Sequence, residues 1–319
     1  MQAIFEPILT EIPLVEERLK AVAEADFPQL AQLLGHVLRR EGKRIRPALT
    51  LLAGKFHHYN LELLIPMATA IELFHTATLV HDDTIDNSAT RRGLPTLSSI
   101  WGSEVAVLAG DYLFAKSADL VATTGNLRVI TLFAQTLMTI CSGQLEENFS
   151  ACDPEQSRQQ YYDRSGKKTA SLFSAAAESG AILSEAPEEA VQALKSYGYN
   201  LGLAFQIVDD ILDFTAGEEE LGKPVAGDLL QGVLTLPAIL FMEQHPEDNP
   251  IKEMLAGKDE EANLKRAIES IRNSPIIGES YGIAQDFSAQ ACHALEVLPD
   301  SPPRRALLQL ADYVIQRQR

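Results

Sequence analysis

The sixteen residues "HDDTIDNSATRRGLPT", from His81 to Thr96, bring three aspartates and two arginines together behind a long apolar run. Asp82, Asp83 and Asp86 stand at i, i+1 and i+4, so on a helix Asp82 and Asp86 share one face a turn apart, with Asp83 on the flank. A second stretch, "FQIVDDILDF", repeats the spacing with Asp209, Asp210 and Asp213. One such cluster reads as a solvated acidic helix end. Two of them, each after an apolar run, point to metal. Carboxylate oxygens are hard ligands that suit Mg²⁺, which keeps several waters and is bound by one or two carboxylates together with substrate phosphates. Two carboxylate sets facing each other across a bundle would hold several divalent ions, and such a cluster calls for a polyanion.

The basic residues supply the rest of that cradle. "RREGKRIRP" places Arg39, Arg40, Lys43, Arg44 and Arg46 within eight residues of a chain that has 44 acidic against 27 basic residues and a net charge of -17. This charge repels nucleic acid and anionic lipid at long range, so the cluster is read as a local anion site and not as a nucleic-acid contact. Arg91 and Arg92 follow the first aspartates. Lys168 beside Thr169, and Lys223, add two isolated cations.

Positioning these groups requires helices. Apolar residues recur at helical spacing through most of the 319 residues, and no stretch alternates long enough to make a strand. The pattern predicts helices near 29–40, 62–85, 103–121, 127–149, 155–164, 168–184, 188–215, 229–244, 259–272, 276–297 and 303–317. Helices 62–85 and 188–215, which carry the aspartates, are apolar round most of their circumference and are expected to be central. No linker divides the chain, so 1–319 is read as one domain. The fold class is all-α, a single large helical bundle with a central cavity. Three cysteines without C-x-x-C spacing indicate neither a disulfide framework nor a zinc site and fit a reducing cytoplasm. The N-terminus lacks the basic and apolar regions of a signal peptide, and no uninterrupted apolar run approaches the 18 or so residues of a transmembrane segment.

The motifs together resemble the trans-isoprenyl diphosphate synthases (polyprenyl synthetases) over nearly the whole chain. They occur in order: "GKRIRP" at 42–47, "HTATLVHDDTIDNSATRRGLPT" at 75–96, "GDYL" at 110–113, "GQ" at 143–144, "KTASLF" at 168–173 and "FQIVDDILDFTAGEEELGKPVAGD" at 205–228. The resemblance implies that Lys43, Arg46, His75 and Arg92 grip the diphosphate of isopentenyl diphosphate without metal. It implies that Asp82, Asp86 and Asp209 ligate Mg²⁺ on an allylic diphosphate primer, three ions per active site with Mn²⁺ as the alternative, and that Asp83, Asp210 and Asp213 support them. Arg91, Lys168 and Lys223 would neutralise the same leaving group, and Thr169 and Gln206 would sit beside the developing carbocation. A homodimer, no nucleic acid, and peripheral membrane contact for product release follow from the same resemblance.

Product length is read from the first aspartate helix. Ala77 and Thr78, one turn before Asp82, are not aromatic, the motif DDTID carries no insertion, and "GVLTLP" at 232–237 looks like the long-chain group; Phe74 is a candidate deeper floor. The expected product is an all-trans long-chain polyprenyl diphosphate, a quinone side-chain precursor. The alternatives are a shorter-chain geranylgeranyl or farnesyl synthase and a non-catalytic partner subunit. A terpene cyclase lacks the second aspartate motif and the isopentenyl grip. "GEEELGKP" at 217–224 only imitates a phosphate-binding loop, because it lacks the closing Ser/Thr and follows a helix. Glu72 and His75 form one E-x-x-H, but a di-metal bundle needs two. The polar Ser165 and Gly166, and Val233 in place of a lysine, depart from the family pattern.

Overall fold

A computed structural model of the protein describes residues 2–24, 27–38, 42–91, 93–215 and 225–317. Arg39, Arg40, Arg92, Lys223 and the glutamate-rich stretch 217–222 lie outside the described residues. The described chain is all-α. In order it forms α1 (Gln2–Phe5), α2 (Ile12–Val22), α3 (Pro28–Leu38), α4 (Ile45–Gly54), α5 (Leu61–Ile85), α6 (Leu97–Trp101), α7 (Ser103–Ala122), α8 (Leu127–Ser150), α9 (Arg158–Ser165), α10 (Ser171–Leu183) and α11 (Glu188–Thr215). The helices Gly227–Leu230, Leu236–Gln244, Pro250–Leu255, Glu260–Arg272, Ile276–Ala294 and Pro302–Gln316 follow. Among the described residues the strands are a two-residue antiparallel pair, Thr90–Arg91 with Leu94–Pro95.

The helices belong to two compact units, each drawn from three separate stretches of chain. The first comprises Met1–Thr136, Leu172–Gly198 and Ala294–Leu310; the second comprises Leu137–Ser171, Tyr199–His293 and Ala311–Arg319. In the first, α5 is the axis: every residue from Leu64 to Phe74 is buried, and α2, α4 and α7 pack on it. It is the one helix among the described residues long and apolar enough to cross a membrane, yet 72% of its most apolar window is buried inside the protein. That is the signature of a core helix. Asn60 starts it by accepting from the Glu62 N–H. The second unit buries Ile207, Val208, Ile211 and Phe214 of α11 against Leu236, Ile239, Leu240, Ile251, Ile271 and Ile276. Arg164 is buried there too, and its guanidinium is met by Gln156 Oε1 (2.6 Å) and the Leu234 carbonyl (2.7 Å).

Expectation and structure part in several places. Helix α4 is unexpected because "IRPALTLLAG" is buried on nearly every side and so shows no polar stripe, while Pro47 falls in its first turn, where no backbone donor is needed. Helices α1, α2, α6 and Pro250–Leu255 are likewise additional. The expected helix 229–244 is two, separated at Gly232, whose φ of 77° lets the turn pass against Cys152; the Cys152 N–H donates to the Gly232 carbonyl at 2.8 Å. The expected helix 168–184 begins with a π-helical turn, Gly166–Ala170, in which the Ser171 N–H reaches back to the Gly166 carbonyl. Finally, α9 starts at Arg158 and not near 155, because Ser157 and Gln160 form a capping box.

Close helix contacts fix where small residues are needed. A Cβ on Gly180 of α10 would stand 2.2 Å from the Thr50 carbonyl oxygen of α4, whereas a Cβ on Gly282 would meet nothing within 4 Å. We therefore expect Gly180→Ala to lose about 1–3 kcal/mol by overpacking. Gly282→Ala, within a helix, should gain up to about 1 kcal/mol. Urea unfolding of the two variants measures both, and a Gly180 variant as stable as the parent would contradict the α4–α10 contact.

Candidate active site

The first unit carries the first aspartate cluster at the end of α5. Asp82 is half-buried, Asp86 is exposed at the C-cap, and Asp83 is buried. Repulsion among three neighbouring carboxylates is relieved at Asp83, whose Oδ1 accepts from Arg91 Nε at 2.6 Å. Arg91 reaches it because the chain after α5 turns back at once: the Ser88 N–H donates to the Asp83 carbonyl, and Thr96 ties the hairpin through its N–H to Ala89 and its hydroxyl to Ser88. The glycine of "GDYL" makes room for the same region. A Cβ on Gly110 would fall 2.2 Å from His81 Nε2, so any side chain there would have to displace the His81 ring where α7 packs on α5 beside Asp82.

The cations expected to grip the second diphosphate come from α4 and α5. Lys43 is exposed just before α4, and Arg46 is half-buried with its guanidinium 4.4 Å above the ring centroid of Phe173, the last residue of "KTASLF". His75 is half-buried on α5, three residues after Glu72. Of the residues read for product length, Ala77 is fully buried and Thr78 is half-buried, its hydroxyl donating to the His75 carbonyl. Phe74 is fully buried and meets Phe114 and Phe133 edge-on at 5.2 and 5.1 Å. Glu72, the acid of the isolated E-x-x-H, holds Arg44 at 2.7 Å. It therefore serves an ion pair and not a di-metal site.

The second unit carries the other cluster on α11. Asp209 is exposed, with Arg317 Nη2 3.3 Å from its Oδ1. Asp210 is buried and accepts from Tyr161 Oη at 2.5 Å and from Gln206 Nε2 at 2.8 Å. Burial, with Asp228 and Asp209 adding repulsion, pushes its carboxyl up to about 8 against the pull of those two hydrogen bonds. Asp213 is buried, and its carbonyl fixes the chain after the loop by accepting from the Ala226 N–H at 2.9 Å. Gln206 also accepts from the Thr169 hydroxyl at 2.6 Å. One line of hydrogen bonds thus runs from Thr169 through Gln206 and Asp210 to Tyr161.

Lys168 and Thr169 sit in the π-helical turn, a local distortion common at functional sites because it changes which side chains point inward. The glycine of "GQ" permits it: a Cβ on Gly143 would lie 2.8 Å from Lys167 Cβ and 3.0 Å from the Lys168 backbone nitrogen. Lys168 Nζ is met by Glu147 Oε1 at 2.6 Å, and the other oxygen of Glu147 is 3.7 Å from buried Arg164.

The two clusters share a pattern of burial. In each, the second aspartate is buried and held by the protein, and the first is left accessible, with Asp86 accessible as well. The accessible oxygens on Asp82, Asp86 and Asp209 are hard donors suited to Mg²⁺. Among the described residues no three acidic, histidine or cysteine side chains form a ready-made metal cage. Mg²⁺ fits such an arrangement because water and substrate phosphate complete its shell.

Comparison with known proteins decides the family. The polyprenyl synthetase profile matches residues 27–271. The chain belongs to the polyprenyl synthetase family. It is 37% identical to heptaprenyl diphosphate synthase component 2 of Geobacillus stearothermophilus over 99% of each chain. Its fold superposes on a heptaprenyl diphosphate synthase from Staphylococcus aureus with a TM-score of 0.93 and 35% identity, covering 97% of this chain and 98% of that one. A polyprenyl synthase from Caulobacter crescentus, complexed with calcium and isoprenyl diphosphate, gives a TM-score of 0.95 at 31% identity over 100% and 98%. The all-α fold and the prenyltransferase activity expected from the motifs are those of this family.

The structure also places beside the motif residues partners to which the sequence motifs assigned no role: Tyr161 on Asp210, Glu147 on Lys168, Phe173 under Arg46 and Arg317 on Asp209. Phe173 closes "KTASLF" and Tyr161 stands four residues before the polar Ser165, but neither partnership shows in the sequence. Removing the Tyr161 hydroxyl leaves Asp210 with one donor fewer in a buried place. Tyr161→Phe should therefore cost about 1–3 kcal/mol in urea unfolding, and no loss would show that the pair contributes little.

Proposed function

We propose that this prenyltransferase condenses isopentenyl diphosphate with an allylic diphosphate and repeats the step to a long all-trans polyprenyl diphosphate. The observation that carries the assignment is that the first aspartate of each cluster, half-buried Asp82 and exposed Asp209, is accessible together with Asp86, while Asp83 and Asp210 are buried and internally satisfied. Asp82, Asp86 and Asp209 would hold Mg²⁺, three ions with Mn²⁺ as an alternative, on the allylic diphosphate; Asp83, Asp210 and Asp213 shape their surroundings. Bound Mg²⁺ would supply Lewis-acid neutralisation of the departing diphosphate.

The chain's own groups do the rest. Arg91, Lys168 and Lys223 add positive charge for the leaving group, so the allylic C–O bond ionises. Lys43, Arg46, His75 and Arg92 hold isopentenyl diphosphate by its diphosphate, where guanidinium forks match phosphate oxygens. Its alkene attacks the carbocation, and a proton then passes to the released diphosphate. Thr169 donates its hydrogen to Gln206 and therefore offers lone pairs, not a proton, to the positive charge. Gln206 acts by orienting that hydroxyl. Apolar surroundings keep water from quenching the cation.

Several narrower assignments belong to the same reading. Residues 1–319 are treated as one polyprenyl synthetase domain, supported by a family match that runs through both compact units. Buried Ala77 leaves the α5 wall narrow in side-chain bulk, which favours a long product destined for a quinone side chain. The protein acts in the cytoplasm as a homodimer, touching a membrane only to release product. The pairing surface is the part of α8 in the second unit, where Met138, Leu145 and Phe149 are exposed and Cys141 completes spacings of three and four along one stripe. A second reading, in which the chain works with another polypeptide, draws on the name of the Geobacillus relative, a synthase component.

Sizing the dephosphorylated products made from farnesyl diphosphate, labelled isopentenyl diphosphate and Mg²⁺ tests the assignment. A ladder well beyond twenty carbons is expected, and chelation should abolish it; activity only after a second polypeptide is added would favour the component reading. Asp82→Ala or Asp209→Ala should lower kcat on the order of 10²–10³-fold, the effect of losing a charge-stabilising group. Ala77→Tyr should shorten the product, and an unchanged ladder would remove this helix from length control. Met138→Glu with Leu145→Glu should yield monomers in analytical ultracentrifugation.

A further inference from the structure

Arg44 stands inside "GKRIRP", between two residues of the proposed isopentenyl grip, and its surroundings differ from theirs. Lys43 is exposed and Arg46 lies on Phe173, whereas the Arg44 side chain is only 12% exposed. Its Nε and Nη2 donate to the two carboxylate oxygens of Glu16 on α2, at 2.5 and 3.2 Å, and its Nη1 donates to Glu72 Oε1 on α5 at 2.7 Å. All three guanidinium nitrogens are therefore engaged with protein carboxylates. Those carboxylates hold its pKa above the ordinary arginine value although burial alone would lower it.

The backbone gives an independent indication. Arg44 has φ 50° and ψ 34°, a left-handed conformation that a non-glycine residue adopts at a cost and keeps only where its surroundings hold it. This residue is the N-cap of α4, so the turn that launches α4, with Arg46 in its first turn, is fixed by the same residue whose side chain is clamped. Gly42 closes the arrangement: a Cβ there would come within 3.1 Å of Arg44 Nη1 and 3.8 Å of Glu72 Oε1. The clamp also reaches His75, a third member of the grip, because Glu72 stands one turn before it on α5.

We infer that Arg44 is a positioning residue for isopentenyl diphosphate: it locks the segment bearing Lys43 and Arg46 onto α2 and onto α5 beside His75, and does not itself touch substrate. The inference rests on the grip assigned above. Arg44→Lys keeps the charge and loses the fork. Glu16→Gln acts from a separate helix at a position one-third exposed.

The experiment measures KM for both substrates, kcat, and metal-free binding of isopentenyl diphosphate by calorimetry, for the parent, Lys43→Ala, Arg44→Lys, Glu16→Gln and the Glu16→Gln/Arg44→Lys double variant. Arg44→Lys and Glu16→Gln should each weaken isopentenyl diphosphate about tenfold or more, the scale of a small misplacement of binding groups. The KM of the allylic diphosphate should be unchanged, and the double variant should be no weaker than the weaker single one, because both break the same clamp. If Arg44→Lys weakens binding while Glu16→Gln leaves it intact or tightens it, Arg44 is a ligand and the inference fails. If Lys43→Ala weakens binding and neither clamp variant does, the inference fails and the grip stands; if Lys43→Ala has no effect, both fail together.

Discussion

Like-charge repulsion is the constraint from which the site follows. Carboxylates at i, i+1 and i+4 crowd one end of a helix, in a chain already at -17, and without compensation such crowding disfavours the fold. The protein answers it twice in different ways. At Asp83 a guanidinium supplies the opposite charge. At Asp210 burial raises the carboxyl to about 8, so that the group carries less negative charge near neutrality, while Tyr161 and Gln206 satisfy its oxygens. Each device silences the second aspartate of its cluster and leaves the first accessible.

The basic residues obey the complementary rule. An acidic protein that must attract a diphosphate cannot leave its cations to collapse onto arbitrary carboxylates, so each is given a defined partner. Lys168 rests on Glu147, Arg46 on the face of Phe173, and Arg317 on the ring of Phe205 with its guanidinium toward Asp209. Stacking on an aromatic face suits a cation that must remain available, because it restrains the guanidinium plane and leaves its edge to hydrogen-bond. The Glu147–Lys168 pair is different. A carboxylate shared with buried Arg164 keeps Lys168 in place but competes with any incoming phosphate, so binding there exchanges one anion for another.

The long helices were legible because each has one pattern from end to end: α5, α7, α8 and α11 appear within one or two residues of where periodicity places them. Periodicity says less about an element with no polar face, which is why α4 escaped, and nothing about a local change of helix type, which is why the π-helical turn at Gly166 did. The aspartates and basic motifs were legible from residue type and spacing. Their partners were not. Tyr161 lies 49 residues from Asp210, and Glu147 lies 21 from Lys168; only folding brings them together. Glu72 shows the reverse case: its spacing to His75 imitates a metal half-site, a reading that the lack of a second E-x-x-H already excluded, and its side chain belongs to Arg44.

The motifs themselves divide by physical task. In "GDYL" and "GQ", Gly110 and Gly143 do no chemistry; each removes a Cβ so that a neighbouring element can come within contact distance of a functional segment. In "KTASLF", Lys168 and Thr169 are the residues proposed to face the substrate, while Phe173 lies under a cation from another motif. The same division, on the roles proposed for them, accounts for two kinds of arginine in "GKRIRP". A guanidinium that is to bind phosphate must keep donors available, and one that is to hold a turn in a left-handed conformation must give them up to carboxylates. One residue cannot do both, so Arg46 is stacked and Arg44 is clamped.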